Sequence, residues 1–129
     1  SPNGFLTNGL SIMGARVREV TLYNWGLPND LAPVFQMVDD LEQSRIDAVA
    51  FTSQPQPGNL MAIAAKAGKE ESLRECLNST RVVVASVGPV CTGGLTRAGI
   101  NVDLEPDHPH MGSLIQALAL FLEEGRSDG

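Results

Sequence analysis

The strongest candidate for chemistry lies in residues 86–94, whose sequence is SVGPVCTGG. A glycine permits close backbone approach, and a proline in the first turn of a helix leaves no N–H unpaired. The free N–H groups of such a turn favour an anion, with a dipole contribution of about 0.3–1 kcal/mol per charge. The candidate binding residues of this segment are Gly88, Pro89, Val90, Cys91 and Thr92.

The glycines of this segment have a second interpretation, because they can serve only the turn between a strand and a helix. The segment lacks the Gly-Lys-Ser/Thr ending of a P-loop and the GxGxxG spacing of a dinucleotide site. The pattern therefore leaves an anion site and a plain turn open, and it gives no indication of a nucleotide site.

Short polar side chains also follow the most apolar run of the chain, residues 46–51. Thr52, Ser53 and Gln54 come directly after it. The hydroxyl groups can hydrogen-bond a carboxylate, or they can cap a helix that begins near Pro57. The GxSxG pattern of a nucleophile elbow is absent, so a covalent role is not predicted. Carboxylate binding and helix capping both remain open.

The other reactive side chains form no recognised catalytic or metal-binding pattern. His108 and His110 share one loop with Asp107, but a metal site needs three or four converging ligands. Cys91 could have a lowered pKa at a helix start, yet no histidine stands in a known partner arrangement. Tyr23, at the exit of a strand, is either a packing residue or a ligand-facing hinge residue. We predict no metal site.

Composition and charge exclude several classes of function. The 129 residues include nine Lys and Arg against fifteen Asp and Glu, which gives a net charge of −6. Such a chain binds nucleic acid and anionic membranes poorly. No apolar run reaches the roughly 18 residues of a membrane span, no signal-peptide pattern is present, and two distant cysteines suit a reducing compartment. We expect a cytoplasmic protein that binds neither nucleic acid nor membrane.

The apolar pattern predicts strands that alternate with helices. Continuous or alternating apolar runs predict strands at residues 17–23, 46–51, 82–87 and 101–104. Helical spacing predicts helices at residues 5–13, 30–44, 58–78 (interrupted at Gly68), 89–98 and 111–124. Asp30 is the expected N-cap of the second helix, and Gly99 is expected to end the fourth. This order predicts an α/β fold with an open parallel sheet flanked by helices.

Loops after parallel strands meet at one edge of the sheet, where ligands bind in such folds. Residues 51–55, 86–94 and 101–110 would all lie there. The chain opens with a predicted helix, although β–α units normally begin with a strand. Either this helix caps the sheet, or elements preceding these residues are missing from this chain.

Four segments in this order resemble the uroporphyrinogen-III synthase family. They are residues 9–23 (GLSIMGARVREVTLY), residues 47–53 (DAVAFTS), residues 84–99 with the core VASVGP, and Glu105-Pro106 with the helix that follows. The resemblance covers the second half of a family member. It implies two α/β lobes joined by a two-stranded linker. Residues 1–22 then resemble a remnant of the inserted lobe, residues 23–29 the interlobe linker, and residues 30–129 a flavodoxin-like lobe.

The resemblance implies a hydro-lyase that closes the linear tetrapyrrole hydroxymethylbilane to uroporphyrinogen III. Water is lost and the last pyrrole ring is inverted, with no cofactor. Tyr23 matches the family's linker tyrosine, which is thought to assist departure of the hydroxyl as a hydrogen-bond donor, and Ser53 matches its hydroxyl residue after the apolar strand. Val90 and Cys91 stand where relatives often have threonine, so either the backbone binds the substrate, Thr92 substitutes, or the activity is reduced. We expect a monomer, and we expect the isolated 129 residues to be inactive because the cleft needs both lobes.

Two other functions remain as alternatives. A non-catalytic sensor or regulatory module of the same fold is favoured by the missing half and by the loss of threonine at Val90 and Cys91. A flavodoxin-like receiver or nucleotide domain ranks last, because a receiver needs acidic residues at strand ends. Asp47 precedes its strand, and only Thr52 and Ser53 follow it.

Overall fold

The computed structural model describes residues 6–12, 14–20 and 31–128 of the chain, with side chains for residues 12, 14–20 and 31–124. Its four-stranded sheet has the order β1-β2-β3-β4, formed by Leu6–Ile12, Ala15–Val20, Ala48–Phe51 and Val83–Ser86. The strands β2, β3 and β4 are parallel, and β1 is antiparallel to β2. The predicted open parallel sheet is therefore confirmed for three strands.

Helices surround this sheet. They are α1 (Ala32–Glu42), α2 (Pro55–Lys66), α3 (Glu70–Leu77), α4 (Pro89–Arg97) and α5 (Met111–Asp128). Gly68, at φ 71°, separates α2 from α3, and Gly99, at φ 79°, follows the end of α4, both as predicted. Pro33 lies in the first turn of α1, whereas the predicted N-cap Asp30 lies outside the described residues.

The two faces of the sheet are covered unequally. Side chains of α1 to α4 pack with Val49 and Phe51 of β3 in one large core. On the other face, α5 places Leu114 and Leu118 in a smaller core with alanines of β3 and β4. Strand β3 is buried on both faces, which explains why its sequence is apolar at every position. Within the described residues, no helix is long and apolar enough to cross a membrane.

The prediction of a helix at residues 5–13 was wrong, because the structure has strand β1 there. Leu6, Leu10 and Met13 fit one helical face in the sequence, but Leu6, Leu10 and Ile12 share one parity, so the same segment also fits a strand. Gly14, at φ 78°, makes the tight turn that pairs Ile12 with Ala15. Glycine is suited to such a turn because it adopts positive φ without strain.

The predicted strand at residues 101–104 is reduced to a single bridge between Leu104 and Ala85. The carboxylate of Asp103 accepts a hydrogen bond from the Val84 amide at 2.8 Å. A side chain thus takes the place of a backbone carbonyl, and a regular ladder cannot continue past this point.

A buried carboxylate ties β2 and the end of α1 together. Asp40 is 7% exposed and accepts hydrogen bonds from Arg18, Arg45 and Gln36, each at 2.9 Å. Burial acts to raise the pKa of Asp40, but the hydrogen bonds from Arg45, Arg18 and Gln36 outweigh it and hold that pKa below its ordinary value of 3.8.

We expect Asp40→Asn to destabilise the 129-residue chain by about 1.5–3 kcal/mol at neutral pH, because hydrogen bonds to a charged group are lost. The matched control is Asp39→Asn, which removes an exposed partner of the same Arg45 and should cost less than about 1 kcal/mol. Urea unfolding measures both.

The contribution of Asp40 to the stability of the chain depends on pH in a defined direction. Since the folded-state pKa of Asp40 is lowered, its contribution is complete above the ordinary value of 3.8 and declines as the pH falls through the folded pKa. The difference in unfolding free energy between the wild-type chain and Asp40→Asn should therefore become smaller as the pH is lowered. If this difference in unfolding free energy stays the same or increases at acidic pH, the lowered pKa of Asp40 is contradicted.

Candidate functional site

The pairing of β3 with β4 brings the two candidate segments together. Phe51 and Ser86, the last residues of these strands, stand opposite each other in the register. The Val87 amide then donates to the Phe51 carbonyl at 3.0 Å, so the chain stays paired one residue beyond the strands. The loop that begins at Thr52 and the helix start at Gly88 are consequently neighbours at the carboxyl edge, as predicted.

A cavity of about 260 Å³ opens at this edge. Its walls are made by both segments and by one residue of the loop before α5: Thr52, Ser53, Gln54, Val87, Gly88, Pro89, Val90, Cys91 and Pro109. Every predicted site residue except Thr92 and Tyr23 therefore lines one cavity. Tyr23 lies outside the described residues.

The start of α4 supplies hydrogen-bond donors to this cavity. Gly88 precedes the helix in an extended conformation, and Pro89 occupies its first turn. Within the described part of the chain, the amides of Val90 and Cys91 have no acceptor, because the first amide of this helix to be bonded is that of Thr92, to the Gly88 carbonyl at 2.9 Å. The helix start can thus bind an anion through its backbone.

The loop after β3 is fixed by a side chain that sequence reasoning missed. Gln56 is 5% exposed, and its carboxamide oxygen accepts hydrogen bonds from the amides of Thr52 (2.8 Å) and Ser53 (3.1 Å). Its nitrogen donates to the Thr52 hydroxyl at 3.0 Å. The amides of Thr52 and Ser53 are thus occupied, and among the described residues the Ser53 hydroxyl has no hydrogen-bond partner. In the sequence, this role of Gln56 is indicated only by its position four residues after Thr52, in the turn that enters α2.

The Cys91 side chain faces inward and is not a ligand donor. It is 2% exposed, and its thiol donates to the Ser53 carbonyl over 3.6 Å. Burial raises the pKa of the Cys91 thiol, although contacts with Ser86 and Val87 act in the opposite direction. The possibility of a lowered pKa at this helix start is therefore wrong, although Cys91 does line the cavity.

Thr92 does not line the cavity. Its hydroxyl lies 2.6 Å from a carboxylate oxygen of Glu105 and 2.8 Å from the Ser86 hydroxyl. Ser86 in turn donates to the Gly88 carbonyl at 3.0 Å. These contacts fasten the loop at residues 105–110 to the start of α4, a role that sequence reasoning did not assign to Glu105.

Two glycines allow the close approach of these segments. A side chain at Gly88 would meet the Pro109 ring, with Cβ atoms 2.6 Å apart. A side chain at Gly94 would meet the backbone oxygen of Gln54 at 2.4 Å. The helix α4 therefore lies directly against the loop that contains Ser53, and only glycine fits at the contact.

The two histidines lie next to the start of α5. His110 accepts a hydrogen bond from the Ser113 amide at 3.2 Å, and its other ring nitrogen lies 2.9 Å from the Ser113 hydroxyl. The ring thus caps the helix, while His108 is exposed. The described residues contain no group of three or more His, Cys, Asp and Glu side chains that could hold a metal ion.

A second cavity, of about 340 Å³, lies at the opposite edge of the sheet. Its walls include Arg16, Ser44 and Arg81. The guanidinium of Arg16 donates to both carboxylate oxygens of Asp47, at 3.2 and 3.3 Å, so its charge is already compensated. Arg81, on the same wall, donates to the Ser44 hydroxyl. We place the candidate site at the carboxyl edge because the predicted site residues line the cavity there.

The fold and the site define a class of protein, an α/β lobe whose cavity lies at the carboxyl edge of parallel strands, where ligands bind in such folds. The chain belongs to the uroporphyrinogen-III synthase family. The family model described as "Uroporphyrinogen-III synthase HemD" matches residues 1–116.

Individual relatives agree with this assignment. A protein of Methanothermobacter thermautotrophicus named "Putative uroporphyrinogen-III synthase" is 38% identical over 119 residues, which are 92% of this chain and 45% of that protein. The "Uncharacterized protein YjjA" of Bacillus subtilis is 30% identical over 111 residues, 86% of this chain and 40% of that protein. The chain thus spans less than half the length of these relatives.

Solved structures show the same fold. A crystal structure of the wild-type uroporphyrinogen III synthase of Thermus thermophilus superposes with a TM-score of 0.64 at 28% identity, over 74% of this chain and 36% of that chain. A second structure of the Thermus thermophilus enzyme gives a TM-score of 0.58 at 28% identity, over 72% of this chain and 36% of that chain.

Gly94→Ala should shift the loop at residues 52–54, because its new Cβ would overlap the Gln54 oxygen. We expect a loss of about 1–3 kcal/mol in unfolding free energy, as for other overpacked sites. The matched control is Gly93→Ala, whose Cβ meets only the flexible end of Arg97 at 3.4 Å. That control should be neutral or stabilising by up to about 1 kcal/mol, because alanine favours a helix. Equal destabilisation by both variants, measured by thermal unfolding, would contradict the tight contact at Gly94.

Proposed function

We propose that this chain provides part of the substrate cleft of a uroporphyrinogen-III synthase, which closes hydroxymethylbilane to uroporphyrinogen III with loss of water and inversion of the last ring. The substrate is a linear tetrapyrrole with acetate and propionate groups along its length. The observation on which the proposal depends is that Ser53, Val90 and Cys91 line one cavity, and that the amides of Val90 and Cys91 and the Ser53 hydroxyl have no partner among the described residues.

The donors at this edge suit carboxylates in an acidic chain. A net charge of −6 opposes the approach of a polyanion, and no arginine among the described residues lines the cavity. Backbone amides at a helix start and a serine hydroxyl provide hydrogen bonds and a favourable dipole without a formal charge. A carboxylate of one pyrrole ring can bind there.

The apolar wall of the cavity suits the ring itself. Val87, Pro89 and Pro109 line it, and Val90 is 74% exposed at its rim. A volume of about 260 Å³ is below the roughly 300–1,000 Å³ of pockets that enclose whole drug-sized ligands. We infer that the edge binds one ring and that a second lobe covers the rest of the substrate.

We also propose the division of the complete protein that the resemblance implies. Residues 1–22 belong to an inserted lobe, residues 23–29 to the linker with Tyr23 as hydrogen-bond donor to the leaving hydroxyl, and residues 30–129 to this lobe. In the present structure β2 pairs with β3 in one sheet. The proposed division therefore requires that β2 does not pair with β3 when the other half of the protein is present.

The activity is tested by incubating hydroxymethylbilane with the full-length protein that contains this chain and identifying the product isomer. We expect uroporphyrinogen III, and only the non-enzymatic isomer I from the isolated 129 residues. Formation of isomer I alone by the full-length protein would contradict the proposed activity and would favour a non-catalytic binding module.

Ser53→Ala in the full-length protein should raise KM about tenfold, because one hydrogen bond to a charged group is lost. Ser72→Ala is the matched control. Ser72 is half-buried on α3, away from the cavity, and its replacement should leave KM unchanged. Wild-type KM in Ser53→Ala would exclude a role of this hydroxyl in substrate binding.

A further inference from the structure

We propose that Gln56 is a positioning residue of this site. By occupying the amides of Thr52 and Ser53, it fixes the Ser53 hydroxyl at the cavity and removes two donors that would compete with the start of α4 for the substrate carboxylate. This inference rests on the proposed function, because it assigns the binding role to the same edge of the sheet.

The Gln56 carboxamide is satisfied on both ends. Its oxygen accepts from the amides of Thr52 and Ser53, and its nitrogen donates to the Thr52 hydroxyl. The side chain is 5% exposed and does not line the cavity. It therefore acts on a ligand only through the loop that it holds.

The same loop is held from its other side by α4. The Cys91 thiol donates to the Ser53 carbonyl, and Gly94 lies against the Gln54 oxygen. The amides of residues 52 and 53 and the carbonyl of residue 53 thus have partners within the protein. The Ser53 hydroxyl is the polar group of that residue that remains available at the cavity.

This arrangement determines where an anion can bind. Two consecutive free amides at a strand end would compete with the helix start for a carboxylate. Because Gln56 already occupies them, the amides of Gln54, Val90 and Cys91 are the donors that remain beside the cavity. Removing the carboxamide would release both donors and loosen Ser53, so the substrate would be bound less tightly and in more than one position.

The test uses Gln56→Met in the full-length protein, since methionine has a similar length and no hydrogen-bonding amide. We expect KM to rise about tenfold, as for the loss of one hydrogen bond to a charged group, with kcat changed by less than about twofold. Gln116→Met, at an exposed position of α5, is the control and should leave both constants unchanged.

Amide hydrogen exchange supplies a readout that is independent of activity. In Gln56→Met the amides of Thr52 and Ser53 should lose protection, while those of Ala50 and Ala85 within the sheet keep it and show that the fold is intact. Gln56→Glu retains an acceptor for both amides and should therefore retain their protection.

Retained protection of Thr52 and Ser53 in Gln56→Met, or a wild-type KM once that protection is lost, would overturn the positioning role. Failure of the proposed function is distinguishable from this. In that case the wild-type protein makes only isomer I, whereas the exchange pattern still shows whether Gln56 holds the loop.

Discussion

The parallel pairing of β3 with β4, which ends both strands at the level of Phe51 and Ser86, is the constraint on which the site depends. It places one loop and one helix start side by side, and no further element is needed to bring them together. Both strands contribute side chains to both cores, so a slip of their register would disturb the two cores at once. The position of the cavity follows from the same hydrophobic packing that stabilises the sheet.

The contacts at this edge hold the backbone and leave particular donors available. Gln56 and Cys91 bind the loop after β3, while Glu105 and Thr92 hold the loop before α5 against the start of α4. Glycines on α4 and just before it permit the close approach of these segments. Among the described residues at this edge, the amides of Gln54, Val90 and Cys91 and the Ser53 hydroxyl are left without partners, a combination suited to a carboxylate.

The sequence was sufficient to predict the elements whose pattern has one interpretation. Apolar runs predict buried strands such as β3. The conformational limits of proline and glycine predict the helix that begins at Pro89 and the helix ends near Gly68 and Gly99. Residues 6–12 were assigned wrongly because their apolar positions fit two periods. The sequence could not show that the strand predicted at residues 101–104 is reduced to one bridge at Leu104, since this depends on where the Asp103 carboxylate lies in three dimensions.

The composition of the site was predicted better than the direction of its side chains. The residues that line the cavity lie in the three expected segments, because loops at one edge of a parallel sheet must meet. The sequence could not show that the side chains of Cys91 and Thr92 bind neighbouring segments instead of facing the cavity, or that Gln56 occupies two amides. The direction of these side chains is determined by local packing and hydrogen bonding, which produce no periodic pattern in the sequence.

Binding of a carboxylate between the start of α4 and Ser53 is the central claim. The most direct measurement is an NMR titration of the full-length protein with a monopyrrole that bears acetate and propionate groups. We predict saturable shifts of the Val90, Cys91 and Ser53 amides, and little change at Arg16 and Arg81 on the opposite edge. Shifts confined to that opposite edge, or none at α4, would contradict the claim.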